Sequence, residues 1–176
     1  MNIRVAKSED GQGIQRLYLS AFPEGEGEVV SKIAIDLLDE KTTPKILSLV
    51  AETEGDLLGH VAFSPVTVDS IENFHSYILA PLAVQPDFQK RHIGSQLIEQ
   101  GLQQLSLIGV NVVFVYGDPE YYSRFGFSVE AAHQFRPEYK MEYPFGWQAV
   151  QLNKANLPSA PVTIKCVAPL SSPSLW

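Results

Sequence analysis

The apolar positions of the chain change period several times, and each change marks an element. Ile3, Val5 and their neighbours alternate like a first strand. Ser8-Glu9-Asp10 then offers capping residues ahead of Ile14, Leu17 and Tyr18, whose spacing predicts an amphipathic helix that Phe22-Pro23 stops. An acidic, glycine-broken loop over residues 24–28 leads into a second helical pattern carried by Val29, Val30, Ile33, Leu37 and Leu38. From Ile46 the period turns to two. Residues 47–52 and 58–63 flank the turn at 53–56 and predict a β-hairpin. Residues 77–84 form an apolar run interrupted by Pro81; proline cannot donate to a ladder, so an edge or a bulge is expected there. Ile93, Leu97, Ile98, Leu102, Leu105 and Ile108 recur at helical spacing, with Gly109 where a C-terminal cap belongs. The almost wholly apolar 110–116 reads as a strand covered on both faces. Strand, loop, long helix and apolar strand make a βαβ unit with a parallel pair. A short helix is expected over 119–125, a strand over 126–129 and another over 147–152; beyond Leu157 the Pro- and Ser-rich tail is expected to be irregular in part.

Composition narrows the class. With 176 residues, 45% of them hydrophobic, the chain has the size and core of one ordinary domain. The expected organisation is a domain over 1–157 with 158–176 as a tail of the same unit. No run approaches the ~20 apolar residues of a membrane span, the start lacks a signal-peptide pattern, and a single cysteine, Cys166, cannot close an intramolecular disulfide. A cytoplasmic location is the simplest expectation. The net charge of −7 speaks against a nucleic-acid partner and suits attraction of a cationic amine, although solubility alone explains such a charge. The four histidines are scattered, and no Cys/His group has metal-ligand spacing, so no metal is expected.

The most informative stretch is residues 82–95, which joins a strand to the N-terminus of the longest helix. Such a terminus offers unpaired backbone N–H groups and the positive end of the helix dipole, both suited to an anion. Lys90 and Arg91 add cationic side chains, Gly94 permits close backbone approach, and Ser95 can donate a hydroxyl. A plain strand-to-helix connection with a solvated Lys-Arg pair fits the same features.

Gln89-Lys90-Arg91-His92-Ile93-Gly94 resembles the Gln/Arg-x-x-Gly-x-Gly/Ala signature of the GNAT N-acetyltransferase superfamily, and the chain looks most like the YhbS-like group within it, over roughly residues 1–152 and most strongly over 58–127. The resemblance implies a three-layer α/β fold: a mixed, mostly antiparallel sheet of six or seven strands, with a splayed parallel pair and helices on both faces. It implies acetyl-CoA as co-substrate. Gln89, Lys90, Arg91, His92, Ile93, Gly94 and Ser95 would hold its pyrophosphate, and Leu82, Ala83 and Val84 would pair with the pantetheine arm. His92 departs from the signature by replacing its first glycine; an αR conformation at the helix start, which histidine tolerates, is expected there. Pro81 would remove a ladder bond near the gap that admits the pantetheine arm.

Gly117-Asp118-Pro119-Glu120-Tyr121-Tyr122-Ser123-Arg124-Phe125-Gly126-Phe127 resembles the short GNAT helix that carries the general acid, which places Tyr122 in that role and Tyr121 in a packing one. A tyrosine hydroxyl, ordinarily near pKa 10, can protonate a departing thiolate while staying neutral before the reaction. The amine must also lose a proton. Candidate bases are Glu24, Glu26, Glu28, His60 and His75, with Glu28 preferred because it opens the second helix, which borders the acceptor cleft in this superfamily. The implied activity is acetyl transfer to a small-molecule or peptide amine by direct attack in a ternary complex. The alternative is a non-catalytic acyl-CoA-binding module of the same fold. The residues leave monomer and homodimer open, and neither a membrane nor a nucleic acid is expected as partner.

Overall fold

The computed structural model describes residues 1–69 and 71–176. In chain order the elements are β1 (Asn2–Val5), α1 (Gly11–Ala21), α2 (Glu26–Asp39), β2 (Leu47–Thr53), β3 (Asp56–Val68), β4 (Ser76–Val84), α3 (Ile93–Leu107), β5 (Val112–Tyr116), α4 (Pro119–Tyr122), β6 (Phe135–Pro137), β7 (Trp147–Gln151) and β8 (Val162–Lys165). The strands form an open, mostly antiparallel eight-stranded sheet in the order β1-β2-β3-β4-β5-β7, with β8 paired to β3 and β6. The chain divides into two compact units. One comprises Met1–Phe63 and Ala80–Gly101, the other Ser64–Leu79 and Leu102–Trp176.

In the first unit β2 and β3 form the expected hairpin, with Thr53 opposite Asp56. The two turn residues, Glu54 and Gly55, both have positive φ (53° and 91°), the turn that matches the twist of a two-residue hairpin. Arg4 on β1 reaches Asp10 at 2.8 and 2.9 Å and Glu52 at 2.8 Å, joining β1 to β2 and to the approach of α1. The alternation of β3 sets its two faces. His60 points to α1, where it meets Tyr18, while Gly59 and Phe63 face α3. A β-carbon on Gly59 would lie 2.9 Å from Leu97, and one on Gly101 would lie 2.1 Å from the Phe63 ring, so the closeness of helix to strand depends on both glycines. On the α1/α2 side Ile14, Leu17, Tyr18, Ala34, Val50 and Ala83 bury one cluster.

In the second unit β4 and β5 are parallel from Ser76↔Val112 to Leu79↔Val115, as the βαβ pattern predicts, and β7 runs antiparallel to β5. β4 lies between β3 and β5 and is not an edge. Pro81 stands two residues past the end of the ladder to β5, where a missing N–H costs that ladder nothing. Leu102 and Leu105 are buried, but Ile108 is 69% exposed: α3 stops at Leu107, and Gly109 (φ 86°) closes it with N–H bonds from Gly109 to Ser106 and from Val110 to Leu105. The strand expected over 126–129 is absent. Only Ser128 bridges to Ala149 there, because Gly126 is left-handed and Val129 already caps the next turn. The tail is more ordered than its composition suggests. It supplies β8, and the Trp176 ring stacks 5.7 Å from Tyr116 and meets Trp147 edge-on at 5.7 Å. Among the described residues no helix is long and apolar enough to cross a membrane.

Candidate active site

The loop after β4 is built by its own side chains. Gln85 donates from its backbone N–H to Leu58 and from Nε2 to Leu57, both at 2.9 Å, which pins the loop's start to β3. Pro86–Phe88 makes one tight turn, and Gln89 reaches back through Nε2 to the Val84 carbonyl at 3.2 Å. The Arg91 guanidinium lies 5.1 Å from the centre of the Phe88 ring. Lys90 and His92 both lie in the left-handed region, with φ of 60° and 61°. This corrects the expected αR conformation of His92: the loop keeps the backbone shape that glycine gives such a motif, and histidine is one of the non-glycine residues that visit it most readily.

The consequence is a row of available donors. Among the described residues, none of the N–H groups of residues 90–95 donates a hydrogen bond; the first to do so is that of Gln96, to the His92 carbonyl at 3.0 Å. Left-handed residues just ahead of a helix N-terminus help turn successive N–H groups to one side, which suits a phosphate. Ile93 is buried against Gly59 and Gly94 is buried, so the helix start is anchored, while Lys90, Arg91 and His92 are exposed and Ser95 is half-buried. Of the three strand residues expected to meet the pantetheine arm, Ala83 is buried in the core cluster; Leu82 and Val84 are half-buried.

The tyrosine segment belongs to the second unit. After β5 the chain turns at Gly117, Asp118 caps α4 by accepting the Glu120 N–H at 2.9 Å, and Gly126 (φ 88°) ends the turn that follows. The Tyr122 ring packs edge-to-face on Tyr121 (5.0 Å) and Phe127 (5.8 Å). It also lies against Gly117, where a β-carbon would come within 2.6 Å of it. Its hydroxyl has no hydrogen-bond partner among the described residues. Burial, with smaller contributions from Tyr121 and Asp118, holds that hydroxyl well above the ordinary tyrosine value. Tyr121 instead carries Arg124 over its ring at 4.4 Å and accepts the Arg124 Nε–H on its carbonyl, in keeping with a packing role.

The base candidates separate sharply. His60 is fully buried, with Nδ1 2.8 Å from the Tyr18 hydroxyl and Nε2 2.7 Å from the Ser48 hydroxyl. Burial pushes its pKa down to about 3. With both ring nitrogens occupied it cannot collect a proton from an amine, and it leaves the candidate set. His75 is exposed, and so are Glu24, Glu26 and Glu28. The Glu28 carboxylate accepts the Gly25 N–H at 2.6 Å and so caps the helix it opens. The spacing of the sequence did not single out the Tyr18–His60–Ser48 chain. Period-two alternation put His60 on a strand, but its partners come from elements 12 and 42 residues away.

These features define the class. The profile of the acetyltransferase (GNAT) family matches residues 11–127, and the chain belongs to that family. Among particular proteins, it is 38% identical over 137 residues to the uncharacterized N-acetyltransferase YhbS of Escherichia coli K12, covering 77% of this chain and 78% of that one. It is 36% identical over 124 residues to the uncharacterized N-acetyltransferase YjhQ of the same organism, covering 70% and 67%. The crystal structure of E. coli YhbS in complex with CoA superposes with a TM-score of 0.83 at 31% identity, over 97% of this chain and 92% of that one. A GNAT acetyltransferase of Brucella melitensis in complex with acetyl-CoA gives 0.65 at 33%, over 92% and 93%.

Proposed function

We propose that the chain transfers the acetyl group of acetyl-CoA to an amine by direct attack in a ternary complex. The observation that carries the reading is the run of uncommitted N–H groups over residues 90–95 at the start of α3, in a chain whose relatives are crystallised with CoA and acetyl-CoA. The loop from Gln89 to Ser95 would hold the pyrophosphate, with Lys90 and Arg91 adding charge. Leu82, Ala83 and Val84 would line the pantetheine arm.

The amine nitrogen attacks the thioester carbonyl, the C–N bond forms, and the C–S bond breaks from the tetrahedral intermediate. The thiolate takes its proton from the Tyr122 hydroxyl, which has no hydrogen-bond partner among the described residues and stays protonated because burial raises its pKa. Glu28, acting through water, takes the proton that the amine gives up. Cys166 is unsuited to a covalent route. Burial, and then Glu138, push its thiol up to about 12, so almost no thiolate exists at neutral pH. The cytoplasm suits such chemistry, since acetyl-CoA is found there.

The test is CoA release from acetyl-CoA, followed with a thiol reagent across a panel of amines. Amine-dependent release with mass-confirmed N-acetyl product supports the reading. Tight acetyl-CoA binding with no release for any amine would instead favour a non-catalytic acyl-CoA module.

A further inference from the structure

Gln148 is an amide where the sheet calls for an apolar side chain. It lies within β7, opposite Val115 on β5 and between Trp147 and Ala149, and all four residues are buried, Gln148 to 1% exposure. An amide in such a place costs free energy unless its N–H groups are used. Both are used: Nε2 donates to the Gly117 carbonyl at 3.2 Å and to the Gly146 carbonyl at 3.3 Å.

These bonds fall where β5 and β7 part. The last ladder pair is Tyr116↔Trp147, and the Gly117 N–H continues the ladder by donating to the Gly146 carbonyl at 2.9 Å. Gly117 is therefore held at its N–H by Gly146 and at its carbonyl by Gln148. The turn at 143–146 has ties of its own and does not need the amide. The Gly146 N–H donates to the Tyr143 carbonyl, and the Tyr143 N–H to the Tyr116 hydroxyl, both at 2.8 Å. What the amide adds is a fixed direction for the peptide between Gly117 and Asp118, which a glycine leaves free to turn. That peptide leads into α4, and the Tyr122 ring lies against Gly117 itself. With no hydrogen-bond partner among the described residues, the Tyr122 hydroxyl is aimed by ring packing alone, on Gly117, Tyr121 and Phe127.

We infer that Gln148 is a positioning residue for the acid: from β7 it fixes Gly117, and through Gly117 it sets where the Tyr122 hydroxyl meets the departing thiolate. The inference rests on the proposed role of Tyr122.

The test compares wild type, Gln148→Met, which keeps the length of the side chain and loses its donors, Tyr122→Phe, and the double variant. CoA release from acetyl-CoA is followed with the fastest primary amine of the panel and with water alone, since the thiolate needs a proton whichever nucleophile attacks. Gln148→Met should lower kcat about tenfold or more, as a displaced catalytic group does, and leave the KM for acetyl-CoA near the parent. In the Tyr122→Phe background the same substitution should change kcat little. Fluorine NMR of protein carrying meta-fluorotyrosine reads the ring without turnover. The signal missing from Tyr122→Phe belongs to Tyr122, and Gln148→Met should shift or broaden it. Gly146→Ala disturbs the same place without touching the amide, because its β-carbon would meet the Gly117 carbonyl at 3.0 Å; it should give the same pattern and serves if Gln148→Met does not fold. An unmoved Tyr122 signal, an unchanged kcat, or an equal loss in both backgrounds would overturn the inference and leave the amide a tie between strands. Full turnover in Tyr122→Phe would instead refute the acid reading itself, and the inference with it.

Discussion

Lowering the pH should destabilise this protein through His60 well before its carboxylates protonate. The ring is enclosed by Tyr18 and Ser48, and its pKa in the folded state is about 3, against about 6.5 when the chain is unfolded. Folding therefore favours the neutral ring. The stability this represents is complete above pH 6.5 and is lost as the pH falls toward 3, because the unfolded chain binds a proton that the folded chain refuses. The slope approaches one proton, or about 1.4 kcal/mol per pH unit, and amounts to about 2 kcal/mol between pH 7 and pH 5. The assay is urea unfolding at pH 7, 6 and 5 for wild type and His60→Gln. The variant loses stability outright, about 1–3 kcal/mol for a buried group such as the Ser48 hydroxyl that loses its partner, but it should lack the extra slope. Contributions from Asp10 and Glu52, both lowered by Arg4, are common to both proteins and cancel in the difference. Parallel pH curves for the two proteins, or a buried-ring NMR signal titrating near 6.5, would refute the reasoning. The effect matters beyond stability: Tyr18 also stacks on Phe22 at 6.0 Å, where α1 gives way to the turn bearing Glu24 and to the start of α2, which carries Glu26 and Glu28.

Tyr122→Phe should lower turnover ~10²-fold while leaving acetyl-CoA affinity unchanged by calorimetry; the wild-type alkaline limb should lie above pH 10, since burial raises the phenol. Gly117→Val should reproduce much of that loss by driving the Tyr122 ring from its place, whereas Tyr121→Phe should do little. Gly94→Val should weaken acetyl-CoA binding about tenfold or more by blocking backbone approach to the phosphates, and neutralising Lys90 and Arg91 together should cost less and reduce the salt dependence. His92→Gly should bind acetyl-CoA as the parent does, because it keeps the positive φ, while His92→Val should bind it poorly, since a β-branched residue resists that conformation; equal affinity in both variants would separate the site from the loop's left-handed shape.

Much of this molecule was legible in the order of its residues. The periods of three to four and of two located the helices and most strands, because burial of one face is a local requirement written into local spacing. The proposed phosphate loop at 89–95 was legible too, since a strand, a Lys-Arg pair and a glycine at a helix start fall within one short stretch. Tyr122 could be placed only through the resemblance of its segment. Tertiary structure decided the rest. Whether His60 was a base or a buried bridge depended on Tyr18 and Ser48 closing over it. The left-handed conformation of His92 belongs to the path of the loop into α3, whose first residue, Ile93, packs against Gly59 on β3. The strand expected at 126–129 gave way to local turns, while the order of the Pro- and Ser-rich tail arose from partners distant in sequence. Such partners decide the chemistry of a side chain because desolvation and hydrogen bonding act through space, and spacing along the chain does not record which distant groups will arrive.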